Sequence, residues 1–153
     1  MSGRMEMIAV LIEEFVADIR TMADRVFNDP ALSFPVKLHR FSEAMAGRLR
    51  LLPHFLRDLQ RSAPQIYRQI EEFRHKNIPI IFGRLVRQGQ AAGMVRPEVD
   101  PDFAIEFWRP AVQSLLHPET LDRLNLTPDQ VFDRAIDLFF GGMLTPAGRK
   151  DYE

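Results

Sequence analysis

Residues 85–108 read LVRQGQAAGMVRPEVDPDFAIEFW. One amphipathic run ends here at Gly89 and Gly93, and another opens at Asp100-Pro101-Asp102. Glycine accepts the left-handed backbone that closes a helix, so Met94 or Val95 can fold back on the last turn. Pro97 drives Arg96 toward an extended conformation. Asp100 is a good N-cap, Pro101 fits the first helical position, and Asp102 suits the positive end of the helix. The stretch predicts two helices held at a fixed angle by a built corner.

Outward from this corner the periodicity is helical almost throughout, with no competing strand pattern, tandem repeat or low-complexity segment. A first helix is expected over about 6–27, where Ile8, Leu11, Ile12, Phe15, Ile19, Met22 and Val26 form one apolar stripe. A second starts near Ser33 with Pro35 in its first turn, and Leu38, Phe41, Met45 and Leu49 line one side. Pro53 opens a third with Phe55, Leu56 and Leu59. The fourth and longest runs over about 63–92. Pro79 lies inside it, removes a backbone donor and presses on the carbonyl of His75, so a kink or break is expected there. The fifth covers about 101–116 around Pro110. A connecting turn leads to a sixth over 128–140, capped by Thr127 and stopped by Gly141-Gly142. Residues 145–153 are expected to be loose.

The whole chain fits one domain. At 153 residues it can bury a sizeable core. Hydrophobic residues make up 46% and charged residues 27%, which argues against wholesale disorder. The absence of cysteine excludes disulfides, thiolate metal sites and a cysteine nucleophile. No apolar run is long enough to span a bilayer, and Glu13, Glu14 and Asp18 interrupt the N-terminal run, so no secretory signal is read there. A soluble cytoplasmic protein without membrane contact is the default expectation. Net charge is −1, but it is unevenly spread. Residues 37–76 carry nine basic and four acidic side chains, against eleven and seventeen in the rest. That half either faces an anionic partner or forms a solvated arginine-rich surface.

The segment GQAAGMVRPEVDPDFA, Gly89 to Ala104, resembles a part of the C-terminal domains of TetR/AcrR-family transcriptional repressors. There a long helix ends in spaced glycines, an Arg-Pro-like turn follows, and an Asp-Pro pair opens the next helix. The preceding IIFGRLVRQG and the closing FFGGML look like the matching helix ends, and the resemblance covers about residues 6–144. Family members carry an N-terminal three-helix domain with a helix-turn-helix that reads DNA. Residues 1–7 hold nothing that could form a recognition helix. The chain therefore looks like the effector-binding and dimerisation domain alone. The expected fold is all-α, a bundle of about six helices like those C-terminal domains.

The resemblance implies a small-molecule pocket among the first four helices and a homodimer through the last two. For a small hydrophobic effector, the candidate contacts are the aromatics Phe41, Phe55, Tyr67, Phe73, Phe82 and Trp108 and the adaptable Met22 and Met45. His39, His54, Tyr67 and Gln113 are the polar candidates. The same side chains would equally fill a solid core. For the interface, the candidates are Phe103, Phe107, Ala111 and Leu115 on the fifth helix and Phe132, Ile136, Phe139 and Phe140 on the sixth. Both helices are apolar on more than one side, which calls either for a partner subunit or for a central place within one chain. DNA would be contacted only through the absent N-terminal domain. The alternative function is a stand-alone helical ligand-binding or interaction module.

Enzyme chemistry has little support. Glu72 and His75 form a single Glu-x-x-His, whereas a di-iron bundle needs two such pairs and further glutamates. His39, His54, His75 and His117 are not at two-ligand helical spacing. There is no phosphate-binding glycine loop and no Gly-x-Ser-x-Gly elbow. No catalytic residue, metal or cofactor is expected.

Overall fold

The computed structural model describes residues 3–50 and 53–152, with side chains for all of these except 53–56, 143, 151 and 152. The fold is all-α. Eight helices occur among the described residues: α1 (Gly3–Phe27), α2 (Phe34–Leu49), α3 (Pro53–Ser62), α4 (Pro64–Ala91), α5 (Pro101–Leu115), α6 (Pro118–Leu124), α7 (Pro128–Met143) and α8 (Pro146–Tyr152). None of them is long and apolar enough to cross a membrane.

The corner is built as its residues dictate. Gly93 has a φ of 72°, the left-handed conformation that ends a helix cheaply only at glycine. The N–H groups of Met94 and Val95 both donate to the Gly89 carbonyl, at 2.8 and 3.0 Å. The Asp100 carboxylate accepts from the Asp102 N–H at 3.0 Å and caps α5. The Gln90 amide donates to the Val99 carbonyl at 2.6 Å, tying the end of α4 to the connecting loop. Gly89 is required for a second reason: a Cβ there would lie 2.3 Å from Val95 Cγ2 and 2.8 Å from Phe34 Cζ. The corner therefore locks α4, α5 and the start of α2 together.

A third leg of this corner was not anticipated. Val95 pairs with Leu144 in an isolated antiparallel bridge, and the Thr145 N–H donates to the Met94 carbonyl at 3.0 Å. This pairing ends α7. Gly141 and Gly142 do not act as the expected stop; they lack the positive φ of a glycine cap, and the helix runs on to Met143. The segment expected to be loose is helical too. Thr145 Oγ1 accepts from the Gly148 N–H at 3.0 Å, and α8 packs on α2. The connecting turn after α5 is likewise a short helix: Pro118 starts α6 and Asn125, in the left-handed region, closes it. Pro79 and Pro110 break neither α4 nor α5, which are continuous across them.

The largest packing contacts are α4 on α5 and α2 on α7, with α1 lying across α2 and α4. One core runs through the bundle, with Phe27, Leu38, Leu85, Val86, Ile136 and Phe140 among its most enclosed side chains. A second, smaller cluster of Leu59, Ala63, Ile66 and Tyr67 joins α3 to the first turn of α4, with Met5, Ile8, Ile12 and Ile70 packed around it. Between the two clusters the packing is not filled.

Candidate functional site

A cavity of about 300 Å³ occupies that gap. Five helices wall it. From α1 come Leu11, Ile12, Phe15, Val16 and Ile19, and from α2 Phe41, Met45 and Leu49. The middle of α4 gives Ile70, Phe73, Ile78, Ile81 and Phe82, together with Arg74 and Asn77. Trp108 and Val112 of α5, Leu116 at its C-cap, and Phe132 and Ile136 of α7 close the far side. Large side chains on converging helices leave this hollow because none reaches across it. The volume lies at the small end of the range for ligand pockets, which are typically apolar with a few placed polar groups.

The far wall is aromatic. Phe82 and Trp108 stack with centroids 4.6 Å apart and planes 8° from parallel. Phe139 meets both edge-on, at 4.9 and 5.0 Å. On its other side Phe139 packs against Phe107 at 5.9 Å. Phe107 is 63% exposed, Phe103 69% and Leu138 82%, so an apolar surface on α5 and α7 begins one ring away from the cavity wall.

The polar groups of the cavity all come from α4. Asn77 is 4% exposed, and its Oδ1 accepts from Arg20 Nε and Nη2 at 3.3 and 3.1 Å. Its Nδ2 donates to the Phe73 carbonyl at 2.9 Å, and Arg20 also lies over the Phe73 ring at 5.6 Å. Asn77 is thus satisfied by the protein. Arg74 differs. It has neither a hydrogen bond nor an ion pair within the chain's described residues. Burial pushes its pKa down, while Tyr67 and Glu71 act on it through space in the opposite direction. A guanidinium starts so high that it stays charged at neutral pH.

Of the expected effector contacts, the cavity brings together Phe41, Met45, Phe73, Phe82 and Trp108. It leaves out four. Met22 is buried in the main core and does not line the cavity. His39 points outward and pairs with Glu43 at 2.9 Å. Tyr67 belongs to the small cluster, edge-on to His117 at 6.3 Å. Gln113 is turned to the α4 backbone, donating to the Glu71 carbonyl at 3.4 Å. His54 and Phe55 lie outside the residues whose side chains are described. Of the expected interface set, Phe103 and Phe107 are on the surface, and Ala111, Leu115 and Phe139 are half-buried. Phe132, Ile136 and Phe140 are buried within the chain itself: α7 packs on α2 and α5, and the first two line the cavity.

Sequence reasoning placed the pocket among the first four helices but did not name Arg74, Asn77 or the α1 side chains from Leu11 to Ile19 that wall it. The signal for the first two was present. Ile70, Arg74, Asn77 and Ile81 are spaced by four, three and four, so a charge and an amide stand where the inward stripe calls for apolar side chains. The basic excess of residues 37–76 is in part a matter of fold. Arg48 meets Asp18 at 2.7 Å, Arg50 meets Asp129 at 3.3 Å, and Arg57 pairs with Asp122, so acidic residues from elsewhere in the chain offset these three charges. Glu72 and His75 are both exposed, and no group of three potential metal ligands occurs among the described residues.

Comparison with protein-family models, with curated proteins and with solved structures gives no match for this chain.

Proposed function

We propose that this chain is a ligand-sensing and dimerisation domain of the kind found in TetR-like repressors. A small, largely apolar effector would occupy the cavity, and α5 and α7 would pair with a second copy. Control of DNA binding would pass to a separate N-terminal helix-turn-helix domain. The observation that carries this reading is the apolar, partly open cavity of about 300 Å³ beside an uncovered aromatic face. An apolar hollow of this size leaves its lining side chains without packing partners on one side, and a bound apolar ligand would supply them.

Two helices exposing Phe103, Phe107 and Leu138 support the pairing half of the reading. A twofold axis would bring each patch onto its own copy, giving a four-helix contact. Phe139 links the patch to the stacked Phe82–Trp108 pair, so a ligand that displaces the pair would be felt at the subunit contact. Regulation would follow if the ligand bound one dimer geometry more tightly than the other.

Two measurements test this. Light scattering at micromolar concentration is expected to give twice the chain mass, and a clean monomer overturns the pairing. A panel of small lipophilic compounds is titrated while emission from Trp108 is followed, which is unambiguous because it is the sole tryptophan. Saturable change with some members is expected; an inert response across the panel removes the sensing role.

A further inference from the structure

We propose that the cavity takes an amphiphile with an apolar body and one carboxylate head, the head pairing with Arg74. This rests on the ligand-sensing reading above and narrows its substrate class. The cavity has two polar side chains, and only one has bonding capacity left over. Asn77 is committed to Arg20 and to the Phe73 carbonyl. Arg74 carries five N–H donors in a planar fork, and none meets an acceptor among the described residues. Arg74 is half-buried at the cavity wall, so its charge is only partly solvated, and a bound carboxylate would meet it through two parallel charge-assisted hydrogen bonds. Glu71 acts on Arg74 only through space and closes no ion pair with it, so the fork is free to receive a ligand.

The surroundings favour an anion over a neutral head. Arg20 stands behind Asn77 and has no carboxylate partner among the described residues, so it adds positive potential at the same end. No acidic side chain lines the cavity. The remaining walls specify the body. Phe82 follows Arg74 by eight residues on α4, a rise of about 12 Å. A head held at Arg74 therefore leaves an apolar run up to the Phe82–Trp108 stack, which suits a medium-length chain or a slim ring system.

The test compares decanoate with decanol, which share a chain and differ in the head. Trp108 emission and calorimetry report binding to the intact protein and to its Arg74→Met variant. Decanoate is expected to bind wild type at least about tenfold more tightly than decanol. Arg74→Met is expected to erase that preference and leave decanol affinity within about threefold, which also shows that the variant is folded. Equal affinity of the two compounds for wild type overturns the carboxylate assignment and leaves the ligand-sensing reading standing; that arm needs no variant. Decanoate affinity unchanged in Arg74→Met, with the preference intact, shows that another group holds the head. If neither compound binds, while other lipophilic molecules do, the proposed class is wrong. If nothing binds at all, the sensing reading falls with it.

Discussion

The two halves of α4 are built from similar residues and do opposite things. Toward its C-terminus the helix is in solid contact: Gly89 lies so close to Val95 and Phe34 that even a methyl group would collide. Through its middle, from Phe73 to Phe82, the same helix borders a hollow. The solid half is anchored by backbone hydrogen bonds of the corner and by the Val95–Leu144 bridge. The hollow stretch is framed by side chains on five helices. A rigid end and an unfilled middle on one helix suggest a division between holding the bundle together and leaving room for something else.

Inserting bulk at each half tests this contrast most sharply. Gly89→Val is expected to destabilise the protein by about 2–4 kcal/mol, through overpacking against Val95 and Phe34, seen as a fall in the urea midpoint. Val112→Phe, which adds a ring at the cavity wall, is expected to change stability by less than about 1 kcal/mol and to weaken decanol binding at least tenfold. If both variants lose stability equally, the hollow is not available space and the contrast fails.

Arg74 gives the next largest effect. Replacing it with methionine is expected to leave stability without ligand unchanged or raised, by no more than about 1 kcal/mol, because the guanidinium is half-buried and has no partner among the described residues. A loss of about 1 kcal/mol or more would make Arg74 a structural group and not a waiting one. Thermal melts with and without decanoate separate the two, since only wild type should gain from the acid.

On the outer surface, Leu138→Glu is expected to convert a dimer to monomers while leaving monomer stability within about 0.5 kcal/mol, as the side chain is 82% exposed. It is a cleaner probe than Phe139, whose ring also supports the cavity wall. Sedimentation velocity and the Trp108 titration read the two properties separately.

The smallest effect concerns two carboxylates with opposite pH signatures. The hydrogen bonds from Arg48 hold Asp18 below the usual carboxylate range, so its contribution is present above that range and fades as pH falls through the lowered value. Burial, reinforced by Asp129, pushes Asp133 upward, so its charged form works against folding once pH rises through the raised value. Asp133→Asn is therefore expected to show a small gain in urea midpoint that appears as pH climbs out of the carboxylate range and is absent in acid. A gain of equal size at every pH would assign the effect to packing.

Helix positions were legible because they depend on local rules. Asp100 capping α5, Pro35 and Pro128 in first turns, and Gly93 in the left-handed region are satisfied within a few residues. The errors arose where distant partners intervene. Gly141-Gly142 remain helical because the stop is supplied by Val95, 49 positions away from Leu144 in the bridge. Short helices stand where a connecting turn and a loose tail are expected: Pro118 opens α6 and Pro146 opens α8, since proline fits the first turn of a helix. Five of the eleven proposed effector contacts line the cavity, since being aromatic and inward-facing does not say which inner space a ring reaches.

What the amino-acid order settled alone was the all-helical character, the stripes that face inward, and the corner at 89–104, since all three follow from backbone sterics and apolar periodicity over neighbouring residues. Where the stripes converge, and so where they fail to meet, was decided only by the three-dimensional arrangement. A cavity is the space left by side chains from five helices at once. Arg74 acquires its meaning in the same way: on the chain it is one arginine of a basic stretch, and in the bundle it is a half-buried charge lining an apolar hollow with no partner of its own among the described residues.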